Sequence, residues 1–373
     1  MHIKLLRRVD RYIIWMMIFF FCRWKYLFCR KTKTILQDPK KILIIRLWWL
    51  GSTILTFPMV KQLQDHYGQN VQYDVLGTKR NLFLLKKQNY FKRYFDFFDI
   101  RDLVTLLKMI KSYDIVIDTE EYFRASTLLS IRLGKYSVWF GALQSRKIWY
   151  NFPIPYNDQQ HVVLTFLDLL KPLGIKTFEP VSLESIHLDE RDIQEGDKIF
   201  ESFSDKHNIC LHTWGAETSS ERFWSIANRV GLITLLHDHF QDRVVFFLSC
   251  TSIDIPYVQG VQAWIDKDIA VHIVQLPLFA FSHFVSKCDV MVSNDTGPLH
   301  IAAAMGTKTI GLFWPNLPQR FGPYPPEKNI ALYEGDGTPY INVHLGQFLS
   351  CSGSIIDSIT PQMVFDHVSK MIS

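Results

Sequence analysis

Cysteine is scarce: the 373 residues hold six, at positions 22, 29, 210, 250, 288 and 351. None belongs to a C-x-x-C pair and none stands at ligand spacing from a histidine. That excludes a zinc finger or a disulfide framework and suits a reducing compartment. The apolar run near the N-terminus, Ile13 to Cys22, is ten residues long, whereas crossing a bilayer core takes about 20. The "CRWK" that follows it supplies no small-residue cleavage site, so a signal peptide is not indicated. Sequence repeats and low-complexity tracts are also missing. With no metal-ligand cluster, the sequence assigns neither a metal nor a cofactor.

What is present is an ordinary globular composition, 48% hydrophobic and 21% charged, in a chain long enough for two domains of about 150 residues each. The net charge of +5 is unevenly spread. Residues 1–41 carry eleven Lys or Arg against Asp10 and Asp38, a net of +9, which leaves −4 for the rest. The body is mildly acidic, which points away from nucleic acid as a partner. In the tail, Lys4, Arg7, Arg8 and Arg11 precede the apolar run and Arg23, Lys25, Arg30, Lys31 and Lys33 follow it, with Trp15, Trp24 and Tyr26 interleaved. Cations and amphipathic rings suit the headgroup level of an anionic membrane. Residues 1–40 therefore read as a membrane-surface anchor, with a helix packed on the body and a spanning signal-anchor as alternatives.

From Lys41 the pattern alternates. "KILIIRL" reads as a buried strand, Thr53 to Tyr67 as a helix and "VQYDVL" as a strand, followed by "YDIVID" and "YSVWF" with helical stretches between. This is the βαβ rhythm of a parallel sheet covered on both faces. A Pro-rich crossing, "NFPIPYND", and a helix over 161–170 end the first domain, and 174–195 looks like a linker. The rhythm restarts with "NICLHT", a helix over 222–236, "RVVFFLS", "VHIVQL", a helix over 279–287, "DVMVS", a helix over 298–305 and "KTIGLF". The expected organisation is α/β with two doubly wound, Rossmann-like domains: 41–180, a linker over 181–205, 206–350, and a C-terminal segment 351–373. In that last segment Thr360 as N-cap and Pro361 at the first helical position define a helix that packs back across the domains.

One stretch concentrates chemistry. In "SNDTGPLHIAAAMG", residues 293–306, a buried strand ends in Asp295, Thr296 and Gly297 and gives way to a helix that opens with Pro298 and stops at Gly306. Ligands of open α/β sheets bind beyond the carboxyl ends of strands. Helix amides and the positive end of the helix dipole favour an anion there. Gly297 permits close backbone approach and Thr296 adds a hydroxyl, so a phosphate fits. Asp295 repels phosphate and suits the hydroxyls of an attached sugar. The competing reading is that Asp295 or Thr296 only caps the helix.

"SNDTGPLHIAAAMGTKTIGLFWP", with D-T-G-x-x-H before a small-residue helix, resembles the signature of the lipopolysaccharide heptosyltransferase family, glycosyltransferase family 9. "KILIIRLWWLGSTILTFPMVKQL", "YDIVIDTEEYFRASTLL", "ICLHTWGAETSSERFW" and "PQRFGPY" are similar to further family segments, in the family's order. The match covers roughly residues 41 to 373. The resemblance implies a GT-B fold with two Rossmann-like domains facing a cleft. It also implies an inverting, metal-independent transfer of a heptose-like sugar from a nucleotide-diphosphate donor, an ADP-sugar favoured, to a lipid-linked acceptor at the inner face of the cytoplasmic membrane. Carried over, Thr296 and Gly297 hold the diphosphate, Asp295 the donor sugar, His300 the helix face beneath it, and Arg222 neutralises phosphate charge. Arg222 has a plainer reading as a surface charge in the first turn of the helix over 222–236.

The sequence departs from the family at its first loop, where the usual Gly-Asp is Gly51-Ser52. That Asp is the family's favoured general base, and a serine hydroxyl has no comparable basicity. Asp118, Glu120 and Glu121, at a neighbouring strand end, are the candidates to take over, with Glu120 first. Two alternatives stay open: a non-catalytic nucleotide-sugar-binding relative acting as a membrane-tethered assembly protein, and a different GT-B enzyme such as a sugar-nucleotide epimerase.

Overall fold

The computed structural model describes residues 38–373 apart from 122, 178–179, 201–204, 213–221, 339, 343, 345–346 and 349–354. The reading of a basic anchor over residues 1–40 thus falls almost wholly outside the described residues. The chain forms two compact units, one of residues up to Glu179 plus Ile341–Phe348, the other of Pro180–Tyr340 plus Leu349–Ser373.

In the first unit the order is β1 (Lys41–Ile45), α1 (Leu50–Ile54), α2 (Phe57–Tyr67), β2 (Gln72–Gly77), α3 (Leu82–Lys87), β3 (Arg93–Asp96), α4 (Ile100–Lys108), β4 (Tyr113–Asp118), α5 (Ala125–Leu133), β5 (Gly134–Phe140), α6 (Gln144–Lys147), β6 (Phe152–Ile154) and α7 (Val162–Asp168). Its six strands are all parallel, in the order β3-β2-β1-β4-β5-β6. β1 is registered between its neighbours, Ile44 opposite Val75 on one side and Ile117 on the other. Its Ile42, Leu43, Ile44 and Ile45 are at most 1% exposed, as expected of a parallel strand covered on both faces. The strand order reverses direction between β1 and β4, so their carboxyl ends bracket the switch point where such sheets open a crevice for ligands.

The second unit begins with α8 (Glu190–Asp197) and continues β7 (His207–His212), α9 (Ile226–Phe240), β8 (Val244–Ser249), α10 (Ile255–Gln262), β9 (Val271–Val274), α11 (Leu278–Ser286), β10 (Val290–Asn294), α12 (Gly297–Ala304), β11 (Lys308–Leu312), α13 (Pro318–Phe321) and β12 (Ile330–Leu332). A short antiparallel pair, β13 (Ile341–Asn342) and β14 (Gln347–Phe348), belongs to the first unit, and α14 (Pro361–Ile372) ends the chain. The second sheet is also parallel, in the order β12-β11-β10-β7-β8-β9, with its switch point between β7 and β10.

Four expectations are corrected. The helix over 53–67 is two helices, because the chain breaks at Leu55–Thr56 and α2 restarts with Pro58 in its first turn; proline has no N–H to continue the earlier ladder. The Pro-rich crossing contains β6, an edge strand where Pro153 leaves no ladder bond unmade. The linker over 181–205 holds α8, fixed by a reciprocal capping box between Asp189 and Asp192 and seated on α11, where Gly196 lies against the backbone of Ala280 and Phe284. The C-terminal helix belongs to the second unit: Thr360 and Pro361 start it as expected, and Val364 and Val368 are buried in that unit's own core with Leu232, Leu236 and Ile310.

Candidate active site

Each sheet gathers polar side chains at its switch point, and the two sets are described separately. In the first unit β1 ends at Ile45 and the next residue, Arg46, is only 5% exposed. Its guanidinium donates to Ser52 Oγ and, at 3.2 Å, to the Thr119 carbonyl, and lies 3.9 Å from Glu120 Oε1. Asn81 holds the strand end from the other side, donating to the Arg46 carbonyl at 2.9 Å and to Thr53 Oγ1. Ser52, one residue after Gly51 in the short α1, is thus tied through one cation to Glu120 beyond β4.

Glu120 is 4% exposed. Its Oε1 accepts the Leu47 N–H at 2.7 Å, and Oε2 has no donor among the described residues. Burial pushes its carboxyl up to about 7, with Asp118 adding in the same direction and Arg46, the Leu47 amide and Arg146 opposing. A carboxyl titrating there is half ionised at neutral pH, the range in which a general base works best.

The other two acids are employed differently. Asp118 is fully buried, and its carboxylate accepts from Arg146 at 2.8 Å, from the Tyr150 hydroxyl and from Ser130; the Glu120 amide also bonds it, at 3.0 Å. Arg146 in turn donates to the Glu120 carbonyl at 2.7 Å and stacks over Trp139. This buried pair fixes the loop that carries Glu120, and losing one partner would strand a charge. Glu121 is partly exposed and accepts from the Tyr156 hydroxyl.

In the second unit β10 ends at Asn294 and α12 starts at Gly297 with Thr296 as N-cap in extended conformation. The Thr296 side chain does not cap the helix; its Oγ1 faces Ser293 Oγ at 3.3 Å instead. The capping reading of Asp295 and Thr296 therefore fails. Pro298 has no N–H, and the amides of Thr296, Gly297 and Leu299 lack intrahelical acceptors, as at any helix start. The positive end of α12 stands uncompensated by any acidic residue in its first turn.

Asp295 is not the solvent-facing carboxylate that a strand end suggests. It is 7% exposed, accepts from Asn316 Nδ2 at 2.5 Å, and has Arg222 Nη1 at 3.6 Å and His300 Nε2 at 3.9 Å. Arg222 also donates to the Asp295 carbonyl at 2.8 Å, and its own carbonyl accepts from Asn294. The surface-charge reading of Arg222 is likewise overturned: α9 begins only at Ile226, with Ser225 as N-cap, and Arg222 is pinned at the mouth of α12. His300, buried on that helix, is held below the usual histidine range by desolvation, against the pull of Asp295, so it is neutral at pH 7. Its Nδ1 has no partner among the described residues. Among the described residues no three His, Cys, Asp or Glu side chains converge as a metal site would require.

Sequence reasoning missed Arg46 and Asn316. A lone charge ending the buried run "KILIIR" was a usable signal for the first; nothing in "WPN" marked the second.

The sequence profile of glycosyltransferase family 9 (heptosyltransferase) matches residues 104–340. A Haemophilus influenzae protein named lipopolysaccharide core heptosyltransferase OpsX is 26% identical over 309 residues, which cover 80% of this chain and 86% of its own. Among solved structures, a glycosyl transferase of family 9 from Veillonella parvula superposes with a TM-score of 0.72 at 17% identity over 91% of this chain and 99% of its own. The Escherichia coli ADP-heptose LPS heptosyltransferase II does so with 0.69 at 18% identity over 89% and 98%. The family match spans more than half of the sequence: the chain belongs to glycosyltransferase family 9 and is a glycosyltransferase with the GT-B fold.

Proposed function

We propose that this enzyme transfers a heptose from ADP-heptose to a lipid-linked saccharide acceptor in the synthesis of the lipopolysaccharide core, with inversion and without a metal ion, at the inner face of the cytoplasmic membrane. The observation that carries this reading is the start of α12, where Thr296 leaves the first-turn amides without a side-chain cap of its own and Arg222 bonds the Asp295 carbonyl just before it. Three backbone amides, a helix dipole and a guanidinium meet there, which suits a diphosphate that must leave with its charge stabilised. The names of the Haemophilus and Escherichia coli relatives support the sugar, the nucleotide and the glycan.

In this mechanism Thr296 and Gly297 hold the diphosphate and Arg222 neutralises it, binding two oxygens at once where a lysine would act as a point charge. Asp295 does two jobs: its backbone carbonyl and carboxylate aim Arg222, and its remaining acceptor capacity faces the sugar hydroxyls. Neutral His300 supports the floor without adding charge. On the acceptor side Ser52 orients the attacking hydroxyl and Glu120 takes its proton, while Arg46 couples the two. Glu120 thereby supplies the carboxylate absent from position 52. Glu121 faces the acceptor and is secondary.

The test is titration calorimetry with ADP, UDP, GDP and CDP. ADP should bind tightest, with the same affinity in EDTA, and Arg222→Ala should weaken it at least tenfold, about 1.4 kcal/mol. Equal affinity for all four nucleotides, or an unchanged Arg222→Ala, would overturn the donor assignment.

A further inference from the structure

The first unit carries an apolar face that no element covers among the described residues. α4 has two apolar stripes. Leu103 and Leu106 face the core with Trp48, Phe97 and Met109. Ile100, Val104 and Leu107, which at about 100° per residue fall within about 60° of one another on the helix, are all exposed, Ile100 to 70%. Ile110, just past the helix, is 60% exposed and Phe98, just before it, 48%. Exposed apolar side chains grouped on one helix face in this way mark a site of association.

Its surroundings say with what. β1, β2 and β3 are parallel neighbours, so the segments after them share one edge of the sheet. That edge presents Trp49 after β1, Lys79 and Arg80 after β2, and Phe98, Ile100 and Arg101 after β3, all exposed. Trp48 meets Phe98 edge-on with ring centroids 5.9 Å apart, joining the first segment to the third. Residues 79–111 hold nine Lys or Arg against three Asp, a net of +6, so the rest of the body beyond residue 41 carries −10. Exposed rings and aliphatic side chains beside Lys79, Arg80 and Arg101, the last 3.8 Å from Asp99, match an anionic bilayer surface, where apolar groups enter the acyl boundary and cations meet headgroups.

We propose that the α4 face and the loops after β1, β2 and β3 form a membrane-docking surface that lays this edge of the first unit on anionic lipid, separately from the N-terminal tail. This rests on the reading that the acceptor is lipid-borne: Trp49 stands three residues from Ser52, so docking brings the acceptor's headgroup to the position-52 loop.

The test uses the full-length chain and phosphatidylcholine vesicles with or without phosphatidylglycerol, read by co-sedimentation. Ile100→Ser/Val104→Ser/Leu107→Ser and, independently, Lys79→Glu/Arg80→Glu should each lower partition onto phosphatidylglycerol vesicles at least tenfold. ADP affinity and thermal midpoint should be unchanged, and turnover of a soluble, delipidated acceptor should be retained. Unchanged partition in either variant would overturn the proposal, as would a switch in the apolar variant from dimer to monomer without loss of vesicle binding, which would assign the face to a second copy of the chain. A wild type that binds vesicles through this face but transfers no sugar would refute the transferase mechanism and leave the docking surface standing.

Discussion

Glu120 differs from the other acids of its loop because it is buried beside a cation it does not fully pair with, and this gives a pH signature. Its carboxyl is raised to about 7 from the ordinary 4.5, so between those values the folded protein binds more protons than the unfolded one and stability falls as pH rises. Glu120→Gln should abolish that fall, which amounts to about 3 kcal/mol across the interval, as measured by denaturant unfolding at pH 5 and pH 8. If Glu120 is the base, wild-type kcat/KM climbs with pH through about 7, and in Glu120→Gln the climb is lost and kcat drops about 10²–10⁴-fold. A variant that unfolds with the altered pH dependence yet turns over normally would leave Glu120 a structural acid. Asp295→Ala should cost both function and fold: more than tenfold in kcat/KM and about 1–3 kcal/mol of stability, because the Asn316 amide loses its acceptor and Arg222 its carboxylate partner. Asp295 was recognisable as a residue at a strand end, but Asn316 and Arg222, 21 and 73 positions away, reach it only through the fold.

At the scale of elements, the legible pieces were those whose own residues carry the signal. The buried strands β1, β4 and β10 are short runs rich in Ile and Val, and α12 is bounded by Pro298 and by Gly306, whose φ of +91° ends the helix in a conformation open to glycine. α8 was illegible for the opposite reason. Its sequence "ERDIQEGD" has almost no apolar stripe, and it docks through a glycine, Gly196, instead of a hydrophobic side chain. A Cβ there would come within 2.8 Å of the Ala280 carbonyl and 3.1 Å of the Phe284 amide, backbone that cannot swing aside. Gly196→Ala should therefore lower the second unit's calorimetric transition by about 1–3 kcal/mol and leave the first unit's in place. An unshifted transition would mean that α8 docks loosely. β3 and β6 escaped the sequence reading because "RYFD" and "FPI" hold no β-branched run, whereas the equally short edge strand β9 is "VHIV".

For the whole molecule, charge is partitioned along the chain: a tail of +9, a segment of +6 over residues 79–111, and −10 elsewhere. Removing residues 1–34 should leave a folded protein with full ADP affinity, since β1 starts only at Lys41, and should weaken vesicle attachment without abolishing it. Attachment of the intact chain should also decline with salt, as charges are screened over about 8 Å at physiological ionic strength. The central claim is that a family 9 chain with serine at position 52 still transfers sugar. The direct measurement is product formation from ADP-heptose and a lipid-linked core acceptor in EDTA, with the anomeric configuration of the product assigned by NMR. The account predicts acceptor-dependent release of one ADP per heptose transferred, with inversion, by the wild type. A wild type that turns over no donor with any acceptor until Ser52 is changed to Asp would contradict it.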